Sequence, residues 1–183
     1  ASLTATKERE QFVRFSQPYT TVHQTLIYRL GHRRPKTLAD IIGGRLVVVP
    51  GSSHIERLKE LKQTEYPDLQ WETVADAEML GLMQMVHDGE VDYAVVDSSA
   101  FDVNRGLYPR ARKAFDLSQA EPIAWAFPAH GDDSLLKAAN RFLTSYAASG
   151  ELQRLQDQFF GHTDNFSVGG SQLFRHRIES RLA

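Results

Sequence analysis

The chain has 183 residues, of which 42% are hydrophobic and 24% charged, so it is long enough to bury a core and too apolar for a disordered protein. Its formal net charge of −2 provides no global basic field, so we expect no nucleic-acid partner. Cysteine is absent, which excludes disulfides, cysteine-based zinc sites and thiol nucleophiles.

Predicted strands and helices alternate along the chain. A β-prone run at 25–30 comes first, then a helical turn at 37–42 with Thr37 as its N-cap, and then a buried strand at 45–49. Repeated β-α-β units predict a mostly parallel sheet with right-handed crossovers. The remaining predicted elements are helices at 53–63, 77–88, 133–149 and 151–160, and strands at 69–74, 93–96 and 123–127.

The helix at 133–149 has the spacing of an amphipathic helix, with one apolar face. We expect that face to point into the core. Its members are Leu135, Leu136, Ala139, Phe142, Leu143 and Tyr146.

Three separate segments carry groups that complement an amino acid or a peptide end. Arg9 offers a planar fork of donors that matches a carboxylate. The turn at 51–53 lies between a strand and a helix, so its amides would point from a helix N-terminus toward an anion. Asp97 ends a predicted strand, where open α/β sheets place ligand contacts, and its carboxylate suits an ammonium group.

Each of these segments also has a simpler interpretation. Arg9 lies in a charged run and is compatible with a solvated helix face. Gly-Ser-Ser after a strand is often only a turn with an N-cap, and Asp97 before two serines is compatible with a helix cap. The order and spacing of all three favour a ligand site because they match those of the family that these segments resemble, as follows.

The same segments resemble a known family. ASLTATKER at 1–9, VVVPGSSHIERL at 47–58 and DGEVDYAVVDSSA at 88–100 are similar to the ligand-binding segments of type 3 periplasmic solute-binding proteins, the amino-acid receptors of ABC transporters. The resemblance implies an α/β fold, a periplasmic-binding-protein-like (type II) clamp of two lobes. It implies that the ligand-binding residues are Ser2, Thr4 and Arg9 on the first lobe, and Ser52, Ser53 and Asp97 on the second.

The resemblance also predicts the domain boundaries. The first lobe would comprise residues 1–22 and 123–160, and the second residues 23–122, with two crossings between them as a hinge. Family members normally begin with a β-α-β-α-β run ahead of the Ser-Leu-Thr segment, so the first lobe is expected to be incomplete in this chain.

Other segments resemble a narrower family. LIYRLGHRRPKTLADI at 26–41, DLQWETVADAEMLGLMQMVHDGEVDYAVVDS at 68–98 and the tail at 161–183, with its Gly-Gly break, are similar to the regulatory domain of the membrane-bound lytic transglycosylase F family. In that family a solute-binding-like domain precedes a lysozyme-like domain that cleaves peptidoglycan. The tail would then be the linker toward a catalytic domain.

This second resemblance implies a function. The chain would be a non-catalytic sensor, without cofactor or metal, that binds an amino acid or a muropeptide and modulates an attached enzyme. Peptidoglycan would be contacted through the catalytic domain of the parent protein. The protein would lie in the periplasm at the outer membrane, held there by an anchor outside this chain.

Two alternatives stay open on the sequence. The chain could be a stand-alone amino-acid-binding protein of an ABC importer. It could also be an enzyme on the same fold, similar to cyclohexadienyl dehydratases, with Glu56 or Glu78 as a general acid in the cleft. The seven histidines lack metal-ligand spacing, and motifs of P-loops, serine hydrolases and zinc proteases are absent.

Overall fold

The computed structural model describes residues 2–160, so the predicted linker at 161–183 lies outside the described residues. No helix in the described range is long and apolar enough to cross a membrane.

In this range two short 3₁₀ helices occur, Arg9–Gln11 and Leu38–Ile41, and the second has Thr37 at its N-cap as predicted. The strands are β1 (Ser2–Thr4), β2 (Val13–Phe15), β3 (Thr20–Val22), β4 (Gln24–Arg29), β5 (Leu46–Val48), β6 (Glu72–Thr73), β7 (Tyr93–Asp97), β8 (Ala111–Asp116) and β9 (Glu121–Pro128). The α-helices are α1 (Ser53–Thr64), α2 (Met79–Asp88), α3 (Ser98–Asn104), α4 (Ser134–Ala148) and α5 (Glu151–Phe160).

The strands form two sheets. In the first, β1, β2 and β3 each pair antiparallel with the long strand β9. The second has the order β6-β5-β7-β4-β8. We refer to the first sheet with α4 and α5 as the first lobe, and to the second sheet with α1, α2 and α3 as the second lobe.

The second lobe has a core on each face of its sheet. Strand β5 shows how: Leu46 and Val48 contact one cluster while Val47 contacts the other, and all three are buried. Because successive side chains of a strand point to opposite faces, a strand covered on both sides is apolar throughout. The cluster on one face includes Leu58 and Leu61 of α1, and the cluster on the other includes Leu82, Met83 and Val86 of α2.

Two chain crossings join the lobes, and they are hydrogen-bonded to each other. His23 alone separates β3 from β4, and residues 117–120 separate β8 from β9. The amide of Gln24 donates to the Ser118 hydroxyl at 3.0 Å, and the Leu117 amide donates to the Gln24 carbonyl at 2.7 Å. The buried Gln24 side chain also donates to the Glu121 carboxylate at 3.0 Å. These bonds tie the crossings into one connection.

The prediction of a mostly parallel sheet is wrong. Only the pairs β5–β6 and β5–β7 are parallel, whereas β4 runs antiparallel to both β7 and β8. The reason is topological. Strand β4 enters the second sheet directly from the first and is inserted between two later strands, so it runs against them. The predicted strand at 69–74 is also shorter, because only Glu72–Thr73 pairs with β5.

The predicted inward face of α4 is partly wrong. Ala139 and Leu143 are buried, but Leu135 is 68% exposed and Phe142 52% exposed. Strands β1, β2 and β3 have three residues each, so the described first sheet is too narrow to cover the whole apolar face of the helix. Phe142 stacks instead on Trp125, with ring centroids 6.3 Å apart.

Candidate functional site

A cleft of about 1060 Å³ lies between the two lobes. The first lobe contributes β1, the Arg9 segment, β3 and α5, while the second contributes the β5–α1 turn, the end of β7 and α3. The predicted site residues all line this cleft: Ser2, Thr4, Arg9, Ser52, Ser53 and Asp97. Three distant stretches of sequence are therefore brought to one cavity.

Arg9 reaches from the first lobe to the second. Its Nη1 donates to the Thr4 carbonyl and its Nη2 to the Gly51 carbonyl, both at 3.3 Å. Its Nε lies 3.7 Å from Oε1 of Glu56, an ion pair across the cleft. A guanidinium has five N–H donors, and these two bonds use only two of them. The side chain is 19% exposed, so it is well fixed but still reachable from the cavity.

The β5–α1 turn presents the N-terminus of a twelve-residue helix to the cleft. Gly51 has a φ of +65°, which glycine adopts at little cost, and it lets the chain turn sharply after β5. The Ser52 hydroxyl donates to the Val49 carbonyl at 2.7 Å, so it braces the turn and does not cap α1. The first amides of a helix lack intrahelical partners, so those of Ser53 and His54 remain for an anion.

Asp97 ends β7 and lies at the N-cap position of α3, but its side chain makes no capping hydrogen bond there. Its Oδ1 lies 3.0 Å from Nε2 of His54 on α1. The Asp97 side chain is 21% exposed, and the His54 side chain is 1% exposed. The geometry therefore does not support the simpler interpretation of Asp97 as a capping side chain.

Ser2 and Thr4 flank the cleft on β1. The exposed Ser2 hydroxyl is hydrogen-bonded to the Tyr19 hydroxyl, and Tyr19 also lines the cavity. Thr4 is buried, and its Oγ1 accepts from the Ser53 hydroxyl at 3.5 Å. This bond joins the lobes beside the Arg9–Gly51 contact.

Several cleft residues were not predicted from the sequence. His54 is the most important of them, because it contacts Asp97 directly. The signal was present, because His54 follows Gly-Ser-Ser in the first turn of the predicted helix, but His54 has no metal-ligand spacing to the other histidines. Tyr19 and the α5 side chains Leu152, Leu155 and Gln156 also line the cavity, and they carried no local motif.

The cleft offers opposite charges from opposite lobes. Arg9 and the start of α1 suit an anionic group, and Asp97 suits a cationic one. Neither Glu56 nor Glu78 is among the described residues that line the cavity, since Glu56 pairs with Arg9 and Glu78 is the exposed N-cap residue of α2. Among residues 2–160, no group of three or more acidic or histidine side chains is arranged to hold a metal ion.

The family of bacterial extracellular solute-binding proteins, family 3, matches residues 1–162. The membrane-bound lytic murein transglycosylase F of Saccharophagus degradans is 45% identical over 182 residues, and that of Pseudomonas fluorescens strain Pf-5 is 40% identical over 182 residues. Each match covers the whole chain but only 36% and 37% of these relatives, so the chain spans about a third of their length.

Solved structures share the fold. An ancestral arginine-binding protein bound to arginine superposes with a TM-score of 0.75 at 22% identity, over 86% of this chain and 69% of the other. The arginine-, lysine-, histidine-binding protein ArtJ from Geobacillus stearothermophilus gives 0.72 at 21% identity, over 87% and 67%. The predicted α/β, two-lobe, periplasmic-binding-protein-like fold is thus confirmed. The chain belongs to family 3 of the bacterial extracellular solute-binding proteins.

Proposed function

We propose that this chain is the ligand-sensing, non-catalytic part of a peptidoglycan lytic transglycosylase. It binds an amino acid or a peptidoglycan stem peptide between its two lobes, and it modulates the attached enzyme. The observation that carries the proposal is that Arg9 of the first lobe and Asp97 of the second, with opposite charges, line the same cleft. A free amino acid, or an end of a peptide, has the charges that complement them.

Two comparisons support the nature of the ligand and of the parent protein. Relatives that match over the whole chain are named lytic murein transglycosylases, which supports a link to peptidoglycan. Solved proteins of the same fold include an ancestral arginine-binding protein bound to arginine or to glutamine, and a further protein, from Wolinella succinogenes, complexed with lysine. An amino-acid-like ligand in a protein that acts on murein points to the peptide part of murein.

The cleft is large enough for a ligand longer than a single amino acid. A volume of about 1060 Å³ slightly exceeds the range of about 300 to 1,000 Å³ for pockets that hold drug-sized ligands. The apolar side chains of α3 and α5, among them Val103, Leu152 and Leu155, line one part of it. A short peptide could therefore place its charged end between Arg9 and Asp97 and extend along this apolar wall.

The proposed modulation uses α3 and α5. Helix α3 starts directly after Asp97 on the second lobe and contacts α5 of the first. Helix α5 is the last described element, and the chain continues from it into residues 161–183. A ligand held by Asp97 is thus connected through two helices, α3 and α5, to the segment that we propose as the linker. We also propose the lobe boundaries 1–22 with 123–160, and 23–122, although β9 of the first sheet begins two residues earlier, at Glu121.

We place the protein in the periplasm, at the outer membrane through an anchor outside this chain. The extracellular family and the membrane-bound relatives support this location. The alternative, a stand-alone receptor of an ABC importer, is supported by solved proteins such as the substrate-binding protein of an amino acid ABC transporter, at 20% identity. The relatives above 35% identity favour the transglycosylase instead.

Calorimetry on the full-length protein that contains this chain tests the proposal. We expect wild type to bind a synthetic stem tetrapeptide, and we expect Arg9→Ala to weaken that binding by about 2 to 5 kcal/mol, because a buried carboxylate loses its partner. Asp97→Asn should weaken the binding of the peptide with a free amino end, and it should have much less effect on the binding of the N-acetylated peptide.

Two matched variants serve as controls. Arg14→Ala removes an arginine of the first lobe that bonds the Pro128 carbonyl outside the cleft, and Asp88→Asn changes an exposed carboxylate at the end of α2. Both should bind like wild type. If Arg9→Ala also binds like wild type, Arg9 is not part of the site. If neither the peptide nor free arginine, lysine or glutamine binds wild type, the sensor function fails.

A further inference from the structure

His54 is a buried titratable residue directly behind Asp97. It lies in the first turn of α1, is 1% exposed, and places Nε2 3.0 Å from Asp97 Oδ1. Its other ring nitrogen, Nδ1, is also buried and has no hydrogen-bond partner among the described residues. Among the described residues, the ring's hydrogen bonding is therefore limited to Asp97.

This arrangement determines which tautomer fits. An ionised carboxylate only accepts hydrogen bonds, so Nε2 must carry the proton that Asp97 accepts. A second proton on Nδ1 would be a buried N–H without an acceptor, at the positive end of the helix α1. A lone pair on Nδ1 is the less costly alternative. The geometry thus fits a neutral imidazole with its proton on Nε2.

A neutral donor has a particular effect on Asp97. An arginine or lysine in the place of His54 would fix the carboxylate but cancel its charge. The neutral imidazole fixes Oδ1 and leaves the full negative charge on the carboxylate. Asp97 is 21% exposed to that cleft, so a ligand can reach it.

We propose that His54 is a positioning residue that orients Asp97 toward the cationic amino group of the ligand without neutralising it. This inference rests on the proposed function, in which Asp97 receives that amino group. His54 thereby makes the site selective for ligands with a free amino end over the same ligands with a blocked one. Arg9, the cationic side chain that the first lobe contributes to the described lining, acts on the opposite end of the ligand.

The first test needs no ligand. Histidine-selective ¹⁵N labelling of the full-length protein, with His54 assigned through His54→Gln, should show a proton on Nε2 and none on Nδ1 near neutral pH. Asp97→Ala should abolish the slow solvent exchange of that Nε2 proton. A ring protonated on Nδ1, or on both nitrogens, would overturn the proposal whether or not any ligand binds.

The second test uses the stem tetrapeptide with a free amino end and its N-acetylated form. His54→Phe keeps a ring but removes the donor, and we expect a loss of about tenfold in affinity for the free peptide and less than about twofold for the acetylated one. His54→Gln can place its amide nitrogen where Nε2 lies and should restore affinity to within about threefold of wild type.

The outcomes separate the two proposals. Equal losses for both peptides in His54→Phe would mean that His54 only supports the fold, and failure of His54→Gln to restore affinity would contradict the donor role. Wild type that binds neither peptide would count against the proposed function, while the labelling experiment would still decide the state of His54. His54→Leu, a smaller apolar replacement, guards against a variant that misfolds because the phenylalanine ring does not fit.

Discussion

Arg9 forms an ion pair with a carboxylate of the protein and also lines the cavity. Glu56 on α1 lies 3.7 Å from its Nε, and the Glu56 side chain is 28% exposed. At that distance the pair is an electrostatic contact without a good hydrogen bond, and partly exposed pairs contribute little to stability. A carboxylate of the ligand would approach the same guanidinium, so Glu56 competes with it.

We therefore expect Glu56→Gln to tighten the binding of carboxylate ligands by about 1 kcal/mol or less. Calorimetry with the stem tetrapeptide measures the change. Glu60→Gln is the matched control, because Glu60 lies one turn further along α1 and pairs with Arg57 outside the cleft. Weaker binding in Glu56→Gln would show that Glu56 orients Arg9 and does not oppose the ligand.

At the scale of single elements, helix α2 has one glycine inside it and another directly after it, and the two differ in backbone conformation. Gly81 lies inside the helix, and a Cβ built on it meets nothing within 4 Å. Gly89 ends the helix with a φ of +82°, and a Cβ there would come 2.1 Å from Nη1 of Arg29. Inside a helix, alanine is better than glycine, whereas a left-handed C-terminal residue favours glycine.

Gly81→Ala and Gly89→Ala should therefore shift stability in opposite directions. We expect Gly81→Ala to raise the free energy of unfolding by about 0.5 to 1 kcal/mol, and Gly89→Ala to lower it by about 1 kcal/mol or more. Urea unfolding followed by circular dichroism measures both. Stabilisation by Gly89→Ala would contradict the left-handed C-terminus of α2.

Regular patterns made most elements predictable from the sequence. Continuous apolar runs identified β5 and β7, and helical spacing identified α1, α2, α4 and α5 to within two residues at each end. Strand direction was not predictable in this way, because β4 owes its antiparallel course to its entry from the other sheet. The exposure of Leu135 and Phe142 likewise depends on how much of the sheet faces α4, and not on the helix itself.

For the candidate site, the sequence predicted which residues share the cavity but not the neighbours that modify them. The position of Arg9, Ser53 and Asp97 in one cavity follows from elements that end at the same edge of the fold, and it agrees with their predicted grouping. Their role in binding stays a prediction. The partners that modify them, Glu56 for Arg9 and His54 for Asp97, lie on α1 at distances that only the tertiary structure determines.

At the scale of the whole molecule, the lobes are in contact at the mouth of the cleft, between α3 and α5, and at the hinge. Across its mouth the Arg9–Gly51 and Thr4–Ser53 hydrogen bonds measure 3.3 and 3.5 Å, which is long for such bonds. The crossings at the hinge are bonded at shorter distances, such as 2.7 Å between Leu117 and Gln24. The hydrogen bonds between the lobes are thus shorter at the hinge than at the mouth.

A ligand that bridges Arg9 and Asp97 should draw the lobes together at the mouth, because it satisfies both charges only when the lobes are close. Spin labels on cysteines introduced at Lys59 of α1 and Ser145 of α4, both exposed and in different lobes, report the distance between the lobes. We expect a broad distribution without ligand and a narrow, shifted one with saturating stem tetrapeptide, measured by double electron–electron resonance. Labels at Lys59 and Gln84, both in the second lobe, should not respond. An unchanged distribution for the first pair at a peptide concentration that saturates calorimetric binding would mean that the lobes do not move, and that modulation of an attached enzyme cannot use closure.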